Sequence, residues 1–414
     1  MRIKNALVFT LDEGFVKKEV CIENGYFTEK AADAGEAADS GEAADFGKTA
    51  GSDTAETVID AAGDYLIPGL VDVHFHGCAG YDFSDGTKEA LAAIGAYELK
   101  NGITSICPAS MTLPEETLAA VCENAYAYAA EYADGQRIAQ ADRDMSGGKK
   151  AGARLCGIHL EGPFISMEKK GAQNPAYIKK PDAAMFERLQ KAAHGLVRLI
   201  TIAPETAGAE AFIRELAGKV HISIGHTCCD YDTARAAFAL GADHVTHFYN
   251  AMPPFTHRAP GVFGAAFDAK HVMPELICDG IHIDPSAVRV AFELFGKERM
   301  ILISDSMMAT GMEDGTYALG GLPVTVHGNL ATLEDGTIAG SATNQMDCMR
   351  TAVSMGIPLE TAVRCATYNP AKSIGVDDVC GSIEAGKYGD CVLLSKEDLS
   401  VRTVILGGEV VGRA

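Results

Sequence analysis

The segment LIPGLVDVHFHG (66–77) sets a short run rich in Leu, Ile and Val directly before two histidines spaced two apart. The run 66–73 is the first of eight, followed by 103–107, 154–160, 196–203, 220–225, 243–247, 275–279 and 299–304. Between most of them lie amphipathic or alanine-rich stretches, at 87–100, 114–132, 181–193, 208–218, 230–240 and 285–296. Short apolar runs that alternate with helix-length stretches form the βαβ pattern of a parallel sheet covered on both faces. Eight such units over roughly 300 residues predict an α/β fold, a (β/α)8 TIM barrel with insertions. A doubly wound sheet is the alternative, but no G-x-G-x-x-G follows the first run.

Outside the barrel the pattern changes. The first 27 residues alternate as short strands broken at Asp12-Glu13-Gly14 and at Asn24-Gly25, and residues 383–412 return to short alternating strands. The two ends are expected to pair as a small β-sandwich domain (1–64 with 383–414) beside the barrel at 65–382. Residues 31–57 interrupt the first part with three tandem hexapeptides, AADAGE, AADSGE and AADFGK. That block has seven acids, one base and almost no large apolar side chain, so it cannot bury a face and reads as a surface insertion without a catalytic role. Residues 134–152 read as a second polar insertion, and 316–340 as a hairpin after the last strand.

Composition narrows the function. At 414 residues with 47% hydrophobic side chains, the chain can bury a large core. Its 35 basic and 56 acidic residues give a net charge of −21, which argues against nucleic acid or an anionic membrane surface as partner. An anion would have to bind in a local basic pocket. No stretch reaches the length of a membrane span, and MRIKNALVFTLDEG has no signal-peptide apolar run. The twelve cysteines are scattered without a C-x-x-C pair, as expected for reduced thiols in a cytoplasmic protein.

Nearly every run ends in a metal-competent or acidic residue: His74 and His76 after the first, Glu161 at the third, His226 at the fifth, His247 at the sixth, Asp279 and His282 at the seventh, Asp305 at the eighth. The C-terminal strand ends of a TIM barrel share one face and carry its active site, so these residues are expected to converge. His74 and His76 would point to the same side of a strand. Imidazoles with a carboxylate suit a divalent metal such as Zn, Fe, Mn or Co. A His2Glu set of Glu161, His226 and His247 leaves room for water, whose pKa such a site can bring towards ~7. Asp305 is placed to take up that water's proton and return it to a leaving group. A single strand-end histidine is more often structural, and His159, His244, His194, His221, His271 and His327 are read that way. The case rests on five candidate ligands and an acid at the ends of one barrel.

Several stretches carry a resemblance: PGLVDVHFHG (68–77), HLEGPFISMEKKGAQNP (159–175), IGHTCCDY (224–231), THFYNAMPPFTHRAPG (246–261), CDGIHID (278–284), SDSMMATGMEDGTYALGG (304–321) and AGSATNQMD (339–347). At these residues the chain resembles the amidohydrolase superfamily and, within it, the N-acetylglucosamine-6-phosphate deacetylase family. The resemblance implies hydrolysis of N-acetyl-D-glucosamine 6-phosphate to D-glucosamine 6-phosphate and acetate. It implies that Glu161, His226 and His247 hold the principal divalent ion, that His74 and His76 can hold a second, and that Asp305 is the catalytic acid/base. Asn250, Ala251, Asp279 and His282 would contact substrate, and Ile338, Ala339 and Gly340 would close over it by their backbone. His257 and Arg258 would clamp the phosphate of a neighbouring subunit in a homodimer. Gln173, beside Ala172, stands where some members have a histidine, and its amide could donate to a developing oxyanion without becoming cationic.

Two other readings use the same residues. An amidohydrolase acting on a cyclic amide or an N-acyl amino acid would need the metal chemistry but no phosphate clamp. A non-catalytic barrel kept as a scaffold would have little use for a full ligand set.

Overall fold

The computed structural model describes residues 1–29, 57–132 and 152–413. The acidic insertion apart from Thr57, and the polar stretch 134–151, lie outside the described residues. Seven strands run parallel in one sheet: Ala109–Ser110, Ile158–Glu161, Val197–Ile202, His221–Ile224, His244–Val245, Met273–Ile277 and Ile301–Ile303, in chain order. A second parallel sheet, Leu70–Asp72, Ile103–Ile106 and Arg154–Leu155, continues the same order at its beginning. Consecutive strands are joined by helices where the sequence places them, including Lys88–Lys100, Glu115–Tyr132, Ala183–Ala192, Ala209–Leu216, Tyr231–Leu240 and Pro285–Phe295. Their starts follow from local chemistry: the side chains of Thr87, Asp182, Asp230 and Asp284 each accept a backbone N–H of the first turn.

No ladder links the first parallel strand to the last among the described residues, and side chains together with main-chain bonds past the strand ends do that work instead. The buried amide of Gln345 donates to the carbonyl oxygens of both Val71 and Leu302, at 2.8 Å each. Ser304 Oγ donates to Asp72 Oδ2 at 2.5 Å, and the backbone N–H of His76 bonds Ser306 O at 2.7 Å.

The run 66–73, expected as one strand, is two. Tyr65–Pro68 pairs with Arg2–Thr10 and Cys391–Leu394 in the terminal sheet, whereas Leu70–Asp72 pairs with Ile103–Ile106 in the parallel one. Gly69 makes the crossing: a Cβ there would sit 1.9 Å from Thr104 Oγ1, so only glycine fits. Strands from both ends of the chain do join. The terminal sheet runs Glu409–Arg413, Val401–Leu406, Cys391–Leu394, Tyr65–Pro68, Arg2–Thr10, Gly14–Glu23, Tyr26–Thr28, with Val58–Asp60 on Arg2–Thr10. Buried Arg154 ties the two parts together, with Nε and Nη2 on the carboxylate of Asp390 at 2.8 and 3.3 Å and its guanidinium 4.4 Å from the Tyr388 ring centre. The hairpin at 316–340 is three-stranded: Gly315–Leu319, Leu322–His327 and Leu330–Thr332.

One core group is at odds with its surroundings. Glu98, on helix Lys88–Lys100, is 1% exposed, and its carboxyl oxygens have no partner beyond the neighbouring Cys78 thiol. Burial, with the negative charge of nearby Asp72, raises its pKa to about 8. A carboxyl whose pKa is higher folded than unfolded favours folding while protonated, and that contribution is lost as pH rises from the unfolded value near ~4.3 to the folded one. Glu98→Gln should therefore gain stability over the wild type across that window, by about 1.4 kcal/mol per pH unit at most. Denaturant melts at pH 5, 6.5 and 8 test this, and a gap that does not change with pH would refute it.

Candidate metal centre

The six strand-end residues meet at one place. Glu161 closes its strand, while His226, His247 and Asp305 each lie two residues past theirs; His74 and His76 follow Leu70–Asp72. All six are buried. His226, His247 and Asp305 adopt left-handed backbone, at φ 47°, 27° and 48°. Such strain in bulky residues collects where surrounding structure over-determines it, commonly at functional sites.

Glu161 Oε1 lies 3.0 Å from His247 Nε2, 3.1 Å from His226 Nε2 and 3.2 Å from His74 Nε2. Its Oε2 is 3.3 Å from His76 Nε2, which is also 3.3 Å from Asp305 Oδ1. The outer nitrogens set the tautomers. His226 Nδ1 donates to Lys169 O at 2.7 Å, His76 Nδ1 to Ala109 O at 3.1 Å and His74 Nδ1 to Glu275 Oε2 at 2.8 Å. Three Nε2 lone pairs are thereby turned inward onto carboxylates, with His226 and His247 Nε2 only 3.0 Å apart and His74 Nε2 buried without a hydrogen-bond partner. Lone pairs and anionic oxygens crowd together in this way where a cation belongs among them, and outward imidazole donors are the usual support of such ligands. The residues thus fit a divalent ion at Glu161/His226/His247 and a second position at His74/His76/Asp305.

The rings and carboxylates also shift one another's protonation. Burial pushes His76 down, but its hydrogen bonds and ion pairs with Asp305 and Glu161 outweigh this and lift it to about 10. Burial likewise pushes Glu161 and Asp305 up, yet the surrounding histidines hold both below the ordinary carboxylate value.

A cavity of about 390 Å³ opens above the cluster. Ala172, Gln173, Asn250, Ala251, His282, Ile338 and Gly340 line it, together with Lys169 and Lys170. Gly340 is at φ +64°, and a Cβ there would come 3.1 Å from Asp305 O. Other expected residues lie elsewhere. Ala339 is buried behind the wall. Asp279 does not line the cavity; it takes His282 Nδ1 at 2.7 Å and the backbone N–H groups of Ile281 and His282, so it orients that imidazole. His257 and Arg258 are exposed, outside the cavity of their own chain. Gln173 has its amide engaged: Thr112 N–H donates to its Oε1 at 2.7 Å, and its Nε2 donates to Glu161 Oε2 at 2.5 Å and faces Met111 Sδ. It holds a ligand in place, which differs from the free oxyanion donor expected from its position in the sequence. Sequence reading passed over Glu275 altogether and took His159 and His244 as packing. Both histidines lie beside Glu275, with His159 Nε2 bonded to Thr201 Oγ1 at 2.8 Å and its pKa pushed by burial to about 3.

Parallel strands with imidazoles and carboxylates converging past their C-terminal ends define a metal-dependent hydrolase class. Residues 65–411 match the amidohydrolase family, and the chain belongs to it. It is 37% identical over 348 residues to an N-acetylglucosamine-6-phosphate deacetylase of Bacillus subtilis, covering 84% of each chain. It is 33% identical to an N-acetylgalactosamine-6-phosphate deacetylase of Escherichia coli O157:H7, over 86% of this chain and 89% of that one. A mutant N-acetyl-D-glucosamine-6-phosphate deacetylase of Mycobacterium smegmatis, solved in complex with N-acetyl-D-glucosamine-6-phosphate, superposes with a TM-score of 0.83 at 32% identity, over 99% of both chains.

His226→Ala should keep the fold and lose a divalent ion bound at Glu161 and His247. Elemental analysis after dialysis measures this, and full retention of that ion would remove His226 from the set.

Proposed function

We propose that the chain is a divalent-metal-dependent deacetylase that hydrolyses N-acetyl-D-glucosamine 6-phosphate to D-glucosamine 6-phosphate and acetate. The observation that carries this is Glu161 meeting four imidazoles within 3.3 Å, next to Asp305 and at the floor of the cavity. Relatives that match along most of the chain act on such sugar phosphates by name. Bound at Glu161, His226 and His247, the ion supplies Lewis acidity that lowers the pKa of water and polarises a carbonyl. Asp305, held ionised by its histidine neighbours, accepts a proton from the attacking water. The water oxygen bonds to the acetyl carbon, the C–N bond breaks, and Asp305 returns the proton to the departing amine. Gln173 keeps Glu161 oriented, and His282, oriented by Asp279, presents its Nε2 face to the sugar phosphate.

The finer assignments belong to the same reading. The two parallel sheets are taken as one (β/α)8 barrel at 65–382, and the terminal sheet as part of a small β-sandwich domain from 1–64 and 383–414. Two copies form a homodimer in which exposed His257 and Arg258 reach the neighbour's phosphate, where a guanidinium binds bidentately. The twelve cysteines form no disulfide and nine of them are buried, which favours a reducing, cytoplasmic setting. Among the described residues no helix is long and apolar enough to cross a membrane.

The deciding experiment follows free-amine release from N-acetylglucosamine 6-phosphate, N-acetylgalactosamine 6-phosphate and unphosphorylated N-acetylglucosamine, with and without chelator. Chelator-sensitive turnover of the glucosamine phosphate, well above the other two, is expected. Preference for the galactosamine epimer would reassign the substrate, and no turnover with ion restored would remove the deacetylase reading. Asp305→Asn should retain the ion and lose on the order of 10²–10⁴ in kcat. Arg258→Ala should raise KM for the phosphorylated sugar and leave kcat within a few-fold; an unchanged KM would exclude the clamp.

A further inference from the structure

Beneath the ligand cluster lies a second buried carboxylate that the hydrolytic steps do not use. Glu275 sits in strand Met273–Ile277 and is completely buried. Its Oε2 accepts two hydrogen bonds, from His74 Nδ1 at 2.8 Å and from the backbone N–H of His247 at 3.0 Å. Its Oε1 lies 3.3 Å from His244 Nδ1. Its own carbonyl oxygen accepts the next backbone N–H, from Phe248, at 2.8 Å. One residue thus grips the strained turn at His247 by both side chain and main chain, and the same oxygen anchors a ring from the opposite end of the cluster.

We propose that Glu275 is the positioning residue that couples the two ion positions, fixing the His74 tautomer and the His247 backbone through one oxygen so that both Nε2 atoms bear on Glu161. The inference rests on the metal-centre reading above but not on the identity of the sugar. Two physical points support it. A fully buried anion is costly unless its bonds are well made, and these bonds run to a ring and a backbone group of the ligand set. Among the described residues His74 has no other acceptor for Nδ1–H, so without Glu275 the ring is free to place its proton on Nε2, where it cannot bind an ion.

The test uses the full chain, stripped of metal and titrated with Co²⁺ alone while its visible absorption is recorded. In Glu275→Gln, the amide oxygen can still accept both hydrogen bonds, but the negative charge is gone. In Glu275→Asp the charge remains on a side chain one methylene shorter and withdrawn from His74. Because the acceptor is kept, Glu275→Gln should stay within a few-fold of the wild-type cobalt affinity and keep its spectrum, whereas Glu275→Asp should bind about 10–100-fold more weakly with an altered spectrum. Because Glu275 acts through His74, adding Glu275→Asp to His74→Ala should cost less than the sum of the single effects. Wild-type affinity and spectrum in Glu275→Asp, with unchanged circular dichroism, would overturn the inference while leaving the metal centre intact. Full additivity with His74→Ala would also overturn it, since that is what a purely structural contribution gives. A wild-type chain that binds no cobalt would overturn the metal centre and this inference together.

Discussion

A buried carboxylate ringed by four imidazole nitrogens governs the rest of this molecule. Glu161 is 2% exposed and has Nε2 atoms of His74, His76, His226 and His247 within 3.3 Å. An anion removed from water in this way must be matched by positive charge, either protons on the rings or a bound cation. The four histidines come from three strand ends spread over more than 170 residues, since His74 and His247 lie that far apart in the chain. Bringing them to one carboxylate requires parallel strands in sequential order with their C-terminal ends on one side. It also requires the chain to turn sharply past each end, and left-handed backbone at His226, His247 and Asp305 does so.

The same demand explains the unusual joints. A carboxylate held at about 3 Å by residues of the first and sixth parallel strands tolerates little relative movement between them. Where no ladder joins the first strand to the last, the Gln345 amide satisfies a carbonyl on each side, and Ser304 and Asp72 close the edge nearer the site. The terminal sheet contributes from outside. It is tied to the parallel strands by the short step at Gly69 and by the buried Arg154–Asp390 pair, whose Asp390 Oδ1 also accepts Gly407 N–H at 2.6 Å. Removing one member of such a pair would leave a buried charge uncompensated, so the two parts of the chain are coupled energetically as well as covalently.

Much of this is legible in the sequence, for identifiable reasons. The strands and most helices show because a buried parallel strand needs an almost unbroken apolar run and its helix needs a cap and an apolar stripe. The ligands show because histidines and acids directly after such runs have no packing explanation as a group. The break at Gly69 is hidden, because Tyr65–Pro68 and Leu70–Asp72 are both apolar and only the neighbouring Thr104 reveals why the chain must step aside. Helix Gly261–Asp268 is also hidden, since its glycines and phenylalanines give no helical signature and packing around Phe248 and Phe295 holds it. Glu275 is missed because a single acid inside an apolar run reads as the end of a strand. Its partners are 201 residues away at His74 and 28 away at His247, so only the three-dimensional structure joins them. Asp279 differs: it sits at a strand end like the candidate ligands, but the half-turn to His282 lets it bond its own neighbour.

Charge poses the remaining question, because a chain with net charge −21 must admit a phosphorylated sugar. Surface charges farther than a Debye length, about 8 Å in physiological salt, are largely screened, so the overall balance matters less than the cavity wall. There the histidines and the ion proposed among them offset Glu161 and Asp305, and the rim carries Lys169 and Lys170 beside Glu168 and Asp335. Those cations and acids roughly cancel, which leaves His282 as the dedicated partner for a phosphate dianion among the described residues of one chain. A phosphate needs a fixed array of donors to be held as well as attracted. In the proposed dimer the exposed His257 and Arg258 would supply such donors from a second copy, which would make the dimer part of the binding site.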